Sequence, residues 1–204
     1  MSIEHEAKFP LADLPALEAR LRTLGSLRTR WHFESNTVYD RDGELASSDR
    51  LLRLRRALVS TLTFKEPVTA SETPGVKSRR ERECRVEDPD GMDLILRGLG
   101  FSPRLTYEKF RAVWTVGEGT VFLDILPFGH FAEIEAPAAS IPELARSLGL
   151  DPAAALDASY HALHREWRRA NGLPPQENFV FEAPDRRRLT IKLGCEAPAQ
   201  GEPC

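Results

Sequence analysis

Charged and apolar residues alternate along the first segment of the chain. Within Ser2–Phe9 the charged residues Glu4, Glu6 and Lys8 take every second position, and the residues between them are mostly apolar. Successive side chains of a β-strand point to opposite faces of the sheet. The pattern therefore predicts a strand that carries two carboxylates and one ammonium on one face. On a single half-buried strand, such a face would simply meet water.

The same alternation recurs along the chain, and this repetition constrains the fold. Short runs bounded by Gly, Pro, Asp or Ser predict seven further strands: Leu27–Asp40, Leu51–Ala57, Ser60–Glu66, Lys77–Glu87, Leu105–Val116, Val121–Leu126 and Phe131–Ala136. Apolar residues at three- and four-residue spacing predict four helices: Leu11–Leu24, Met92–Leu99, Ile141–Leu148 and Pro152–Ala170. At least six of the predicted strands carry charges in alternation with apolar residues.

This amount of patterned charge restricts how the strands are arranged. The helices can cover the apolar faces, and a sheet closed on itself with its apolar side outward would then enclose the charged side chains. Charge without partners in an enclosed space is very costly. The interior must therefore contain water, pair its own charges, or hold a charged ligand.

The inward residues fall into two chemical sets. The cationic set suits phosphate, because arginine binds phosphate oxygens in pairs and lysine supplies a compact charge; it consists of Lys8, Arg53, Arg55, Lys65, Arg79, Lys109 and Arg111. The acidic set supplies the oxygen ligands that Mg²⁺ and Mn²⁺ prefer; it consists of Glu4, Glu6, Asp124, Glu133 and Glu135. A polyphosphate bound with a divalent metal would use both sets. The alternative is an interior in which the two sets only neutralise each other.

The overall composition argues against several other classes of protein. The formal net charge of −3 is too small for a dedicated nucleic-acid binder, so no nucleic-acid partner is expected. The chain has no run of about 18 apolar residues, so no membrane partner is expected. The N-terminal segment lacks the apolar core of a signal peptide. Three widely spaced cysteines, Cys84, Cys195 and Cys204, make neither a disulfide framework nor a zinc motif, and we expect a cytoplasmic protein.

Six short motifs follow one another along the chain, and together they resemble a known family. They are E-x-E-x-K at Glu4–Lys8, L-R-L-R at Leu52–Arg55, T-F-K at Thr63–Lys65, R-x-E-x-E at Arg79–Glu83, E-K-F-R at Glu108–Arg111 and L-D-x-x-P-F-G-x-F-x-E-I-E at Leu123–Glu135. Over about residues 2–170, the chain resembles the CYTH superfamily of triphosphate tunnel metalloenzymes. The spacing of its elements is similar to that of the class IV adenylate cyclase-like branch. The superfamily also includes thiamine triphosphatases and inorganic triphosphatases.

The resemblance implies a fold and a division of the chain. The fold is α+β, an eight-stranded antiparallel closed β-barrel that forms a triphosphate tunnel, with helices packed on its outside. We expect this domain over residues 1–172. A C-terminal extension over residues 173–204 should be largely irregular, apart from a short strand around Leu189–Leu193.

The resemblance also implies the roles of the site residues. The acidic set would bind Mg²⁺ or Mn²⁺, and the cationic set would bind the triphosphate. The expected catalytic residues are Glu4, Glu6, Lys8 and Arg111.

The activity implied is a divalent-metal-dependent hydrolysis that releases phosphate from a nucleoside, thiamine or inorganic triphosphate. Two alternatives stay open. One is a class IV adenylate cyclase, which makes cyclic AMP and pyrophosphate from ATP. The other is a non-catalytic sensor that binds polyphosphate or nucleotide. The expected partner is a small triphosphate-containing substrate, and the expected assembly is a monomer or a homodimer.

Overall fold

Eight antiparallel strands close into a barrel in the computed structural model, which describes residues 2–68 and 73–195. The strands are β1 Ser2–Pro10, β2 Ser26–Asp40, β3 Leu51–Arg56, β4 Thr61–Pro67, β5 Lys77–Arg85, β6 Ser102–Val116, β7 Gly119–Leu126 and β8 Gly129–Glu135. Their order around the barrel is β1-β5-β4-β3-β2-β6-β7-β8. The first strand closes the ring, because it pairs with β5 at Glu4 opposite Arg79 and with β8 at Lys8 opposite Glu133. The expected eight-stranded α+β barrel is confirmed.

The described residues also form six α-helices: α1 Leu14–Leu24, α2 Glu44–Ser47, α3 Pro89–Gly98, α4 Ile141–Ser147, α5 Tyr160–Ala170 and α6 Ala183–Leu193. Two short 3₁₀ turns, Ala138–Ser140 and Pro152–Ala154, precede α4 and α5. The four predicted helices are present, whereas α2 and α6 were not predicted. No helix in the described part of the chain is long and apolar enough to cross a bilayer.

Strand alternation separates the apolar exterior of the sheet from its charged interior. Three outward residues, Ala7 of β1, Leu123 of β7 and Ile134 of β8, are fully buried in the apolar layer beneath α1 and α4. They pack there against Leu21 and Ala145 of the two helices. Burying a large apolar side chain of this kind stabilises a fold by about 1.5–3 kcal/mol. A second apolar layer lies between β3 and α3.

Helix α5 begins later than predicted, because the chain before it pairs with the barrel. Leu156 and Lys8 exchange two backbone hydrogen bonds with N···O distances of 2.8 and 3.1 Å, so the chain is extended there. Ser159 then caps the helix, since its hydroxyl accepts the N–H of Ala162 at 3.2 Å. This arrangement places Tyr160, the first residue of the helix, at one end of the barrel interior.

The C-terminal segment differs in part from the expectation. Residues 173–182 are irregular apart from one bridge to β6, as expected, but the short strand predicted at residues 189–193 was wrong, because this segment belongs to α6. Leu189 and Leu193 are four positions apart, and on a helix both reach the apolar layer around Phe110. Packing therefore favours the helix. Cys84 and Cys195 are free thiols, and Cys204 lies outside the described residues.

Gly25, which joins α1 to β2, leaves no room for a side chain. A Cβ atom there would lie 2.5 Å from the carbonyl oxygen of Thr115 and 2.7 Å from Cγ2 of Val116. We expect Gly25→Ala to lower the free energy of unfolding by about 1–3 kcal/mol, the usual cost of overpacking. At Gly98 in α3 a new Cβ would meet nothing within 4 Å, so Gly98→Ala should be neutral or stabilising. Urea unfolding measures both variants, and equal stabilities would contradict the prediction.

Candidate active site

The barrel encloses a cavity of about 670 Å³ that is lined mainly by charged side chains. It extends from the β3–β4 turn at Leu58 to the start of α5 at Tyr160. Every second residue of the strands points inward, so β1 alone contributes Glu4, Glu6 and Lys8. The interior of the barrel is therefore where the two predicted sets can meet.

Three carboxylates from neighbouring strands meet on one side of the cavity. Glu4, Glu6 and Glu135, here called the acidic cluster, each place a carboxylate oxygen within 4.8 Å of the others. Burial and a hydrogen bond with Glu4 raise the pKa of Glu135 to about 10. For Glu4, burial acts to raise the pKa, but hydrogen bonds with Glu135 and Glu81 outweigh it and lower the pKa. Glu135 therefore holds a proton at neutral pH, while Glu4 is ionised.

Two lysines border the acidic cluster. The Nζ of Lys65 lies 2.6 Å from Oε2 of Glu4 and 2.5 Å from Oε2 of Glu81. Burial and a hydrogen bond with Glu4 raise the pKa of Glu81 to about 7. The Nζ of Lys8 lies 2.6 Å from Oε1 of Glu6. These ammonium groups neutralise much of the negative charge of the cluster.

A second network, on β6, β7 and β8, fixes Arg111. The guanidinium of Arg111 donates to both carboxylate oxygens of Asp124, each at 2.6 Å. It also donates to Glu133 at 3.3 Å, and Lys109 donates to Asp124 at 3.2 Å. Burial alone would raise the pKa of Glu133, but the charges of Lys8 and Arg111 hold it well below the usual range. Glu133 is therefore an ionised partner of these cations.

Arg53 and Arg55, on β3, are held mainly by uncharged groups. Arg53 donates to the Tyr107 hydroxyl at 3.0 Å and to the Thr63 hydroxyl at 3.2 Å. Arg55 donates to the side-chain oxygen of Asn36 at 3.3 Å. Their carboxylate contacts within the described residues are longer, 3.9 Å for Arg53 and 3.5 Å for Arg55. Their charges are thus only loosely neutralised and can bind an anionic ligand.

The structure brings together part of each predicted set. Six members of the cationic set line the cavity: Lys8, Arg53, Arg55, Lys65, Lys109 and Arg111. Arg79 also lines the cavity, but its guanidinium donates to the backbone oxygen and the carboxylate of Asp49. In the acidic set, Glu133 and Asp124 lie apart from the acidic cluster, because their oxygens are taken by Arg111 and its neighbours.

Glu34, on β2, is a cavity residue that was not among the predicted site residues. It is 2% exposed and lies 3.5 Å from Arg55 and 3.6 Å from Lys109. Burial acts to raise the pKa of Glu34, but the two cations hold it well below the usual range. The polar residues His32, Glu34 and Asn36 alternate along β2, so strand alternation could have identified it.

Tyr160 was placed by the sequence only within the predicted helix Pro152–Ala170, among its regularly spaced apolar residues. In the structure its hydroxyl donates to Oδ2 of Asp124 at 2.7 Å. Its ring lies 5.3 Å from Nζ of Lys8. The sequence around Tyr160 contains no local signal for this position, because it depends on where the helix meets the barrel.

The donor set of the acidic cluster fits a divalent cation. Its three carboxylates offer the hard oxygen ligands of Mg²⁺ and Mn²⁺. The proton held by Glu135 reflects burial and the repulsion between neighbouring carboxylates. A cation would relieve this repulsion and displace the proton.

We expect neutral substitutions of Asp124 and Glu135 to affect the stability of the fold differently. Asp124→Asn would leave buried Arg111 without its main counter-ion, so we expect the free energy of unfolding to fall by about 3–5 kcal/mol. Glu135→Gln replaces a carboxyl that already holds its proton, so stability should change little. Both variants are compared with the wild type by urea unfolding in EDTA. An Asp124→Asn protein as stable as the wild type would show that Asp124 is not needed to hold Arg111.

Comparison with solved structures finds the same architecture in several proteins. A candidate adenylate cyclase from Vibrio parahaemolyticus gives a TM-score of 0.70 at 21% identity, covering 80% of this chain and 98% of that one. The PH1819 protein from Pyrococcus horikoshii gives 0.65 at 26% identity, covering 80% and 98%. A candidate adenylyl cyclase from Hippeastrum, described as having a dominant triphosphatase activity, gives 0.51 at 20% identity, covering 98% and 100%.

A search of curated proteins finds no significant match. The family model of the CYTH domain, in contrast, matches residues 2–149. The matched residues are more than half of the chain, and they contain all eight strands, the acidic cluster and the cationic set. This chain therefore belongs to the CYTH domain family.

Proposed function

We propose that this protein is a divalent-metal-dependent triphosphatase, which releases phosphate from a nucleoside, thiamine or inorganic triphosphate. The observation that carries the proposal is the presence of the acidic cluster and the cationic set in one cavity. A polyphosphate bound with a divalent metal presents both charges that such a cavity can pair. The description of the Hippeastrum protein, which gives triphosphatase as its dominant activity, also supports this proposal.

The acidic cluster is the proposed metal site. Glu4, Glu6 and Glu135 would hold Mg²⁺ or Mn²⁺ through their carboxylate oxygens. A divalent cation bound there would supply positive charge next to the phosphate oxygens. Asp124 and Glu133 would act on the phosphate side instead, because they hold Arg111 in place.

The cationic set would bind the polyphosphate along the cavity wall. Arg53 and Arg55 contact carboxylates only at 3.9 and 3.5 Å, so their donors can turn to phosphate oxygens most easily. Lys8 and Lys65 instead pair closely with members of the acidic cluster. A polyphosphate with its divalent cation would give each lysine an anionic partner and each carboxylate a cationic one, in place of the present lysine–carboxylate pairs.

Arg111 is the proposed electrostatic catalyst. Its two hydrogen bonds to Asp124 fix the guanidinium, so it needs no rearrangement when negative charge develops on the transferred phosphoryl group. Lys8, buried beside Arg111's partner Glu133, would stabilise the same charge. Water would attack the terminal phosphorus, and the bond to the bridging oxygen would break to release phosphate.

A class IV adenylate cyclase is the second candidate. Here the ribose 3′-hydroxyl would attack the α-phosphorus of ATP and release pyrophosphate. The spacing of the sequence elements and the description of the Vibrio protein favour it. A non-catalytic sensor is less well supported, because binding a polyanion would require the cationic set but not the acidic cluster.

The proposal also covers the catalytic domain, the assembly, the partner and the cellular location of the enzyme. We propose residues 1–172 as the catalytic domain, a monomer or homodimer as the assembly, and a small triphosphate compound rather than nucleic acid as the partner. The free thiols Cys84 and Cys195 are compatible with the proposed cytoplasmic location. Light scattering of the purified protein and fractionation of cells test the assembly and the location.

Neutral variants of the acidic cluster test the metal site. Loss of even an outer partner of a metal ligand costs about 10–100-fold, so Glu4→Gln, Glu6→Gln and Glu135→Gln should each lower metal-dependent turnover by more than that. Turnover of ATP, tripolyphosphate and thiamine triphosphate is measured with Mg²⁺ and with Mn²⁺. Glu118→Gln, at an exposed turn between β6 and β7, is the control. Undiminished turnover in the three cluster variants would refute the assignment.

The products formed from ATP separate the two enzymatic candidates. A triphosphatase releases inorganic phosphate, whereas a cyclase releases cyclic AMP and pyrophosphate in equal amounts. We expect phosphate as the main product in the presence of metal, and no product in EDTA. Cyclic AMP as the main product would favour the second candidate. A protein that consumes no triphosphate, yet melts at a higher temperature with ATP, would be a sensor.

A further inference from the structure

Tyr160 lies at one end of the barrel cavity and contacts residues of four strands, β1, β6, β7 and β8. Its side chain is buried (7% exposed), and its hydroxyl donates to Oδ2 of Asp124 at 2.7 Å. Its ring lies 5.3 Å from Nζ of Lys8 and 5.5 Å from Nζ of Lys109. One side chain thus contacts both the carboxylate that holds Arg111 and two further members of the cationic set.

The hydroxyl of Tyr160 adds to the hydrogen bonds that stabilise the Asp124 charge. Oδ2 of Asp124 accepts from Arg111 at 2.6 Å, from Tyr160 at 2.7 Å and from Lys109 at 3.2 Å. Because Asp124 is fully buried, each donor lowers the cost of keeping its charge away from water. Burial and the Asp124 charge raise the pKa of Tyr160 well above its usual range, so the phenol keeps its proton and stays a donor.

The start of α5 is fixed on both sides. Leu156, shortly before it, exchanges two backbone hydrogen bonds with Lys8 on β1. The ring of His161 packs 5.2 Å from the ring of Phe179, which is bridged to β6. Tyr160 is therefore presented to the cavity by a helix end that is held between two strands of the barrel.

We propose that Tyr160 is a positioning residue of the active site. Its hydroxyl fixes Asp124 and thereby the guanidinium of Arg111, and its ring holds the ammonium groups of Lys8 and Lys109 by cation–π attraction. The inference rests on the proposed function, because it assigns these cations to a triphosphate. Tyr160 follows the residues 2–149 that the family model matches, so the match assigns it no role.

Tyr39 provides a matched control. It is 1% exposed, and its hydroxyl donates to Asp93 of α3, away from the cavity. Tyr160→Phe and Tyr39→Phe each remove one hydroxyl that donates to an aspartate, and each keeps the ring. A purely structural role of Tyr160 would make the two variants alike in stability and in kinetics.

We expect Tyr160→Phe to lower kcat by about 10–100-fold, similar to the loss of an outer partner that orients a metal ligand. KM should change less than kcat, because Arg111 acts mainly on the transition state. Tyr39→Phe should keep the wild-type kcat. The assays use tripolyphosphate and ATP with Mn²⁺, and the melting temperature confirms that each variant is folded. A wild-type kcat in Tyr160→Phe would overturn the proposal.

Binding of tripolyphosphate in EDTA tests the same role without turnover. Calorimetry should show that Tyr160→Phe binds about 2–10-fold more weakly, the effect of one net hydrogen bond. Tyr39→Phe should bind like the wild type. If the wild type converts no triphosphate, the proposed function fails, but this binding comparison still decides the role of Tyr160. Equal affinities of the two variants for tripolyphosphate would then overturn it.

Discussion

The buried ion pair between Arg111 and Asp124 is the interaction on which the rest of the cavity depends. Two charges removed from water are stable only when they meet at close range and their remaining hydrogen bonds are satisfied. Here they meet at 2.6 Å, and the pair draws Lys109 and Glu133 into one network. The three strands β6, β7 and β8 are thus joined through side chains inside the barrel as well as through their backbones. The groups that make the interior charged also help to hold the strands together.

Distances divide the cavity charges into two kinds. Lys65, paired with Glu4 and Glu81 at 2.6 and 2.5 Å, is closely neutralised by the protein itself. Arg53 and Arg55 contact carboxylates only at 3.9 and 3.5 Å. If the interior consisted only of mutually neutralising salt bridges, every cation in it would be paired as closely as Lys65. The loosely paired arginines on β3 give this interior a residual attraction for anions, and this difference favours a ligand site.

Strand alternation indicates which face of a strand turns into the barrel, because the side-chain period of a strand does not depend on its neighbours. Glu34 on β2 was nevertheless not predicted as a cavity residue. Alternation could not predict the partners of the inward side chains. Asp124 was grouped with the metal ligands, yet the register of β6 and β7 sets it opposite Arg111. The position of Tyr160 follows from the pairing of Leu156 with Lys8, a contact between distant parts of the chain. The sequence therefore predicted the barrel and a charged interior, but not the networks within it.

The strict alternation of β1 also affects how the barrel assembles. Ala7 and Phe9 are buried under helices, while Glu4, Glu6 and Lys8 face the cavity. A slip of one residue against β5 or β8 would exchange the two sets, leaving three charges unpaired in an apolar layer at a cost of several kcal/mol each. Misaligned barrels are therefore well separated in energy from the native one. The charges of the cavity therefore favour the native strand register over shifted ones. A variant with a neutral interior should lose its unique register before it loses its compact shape.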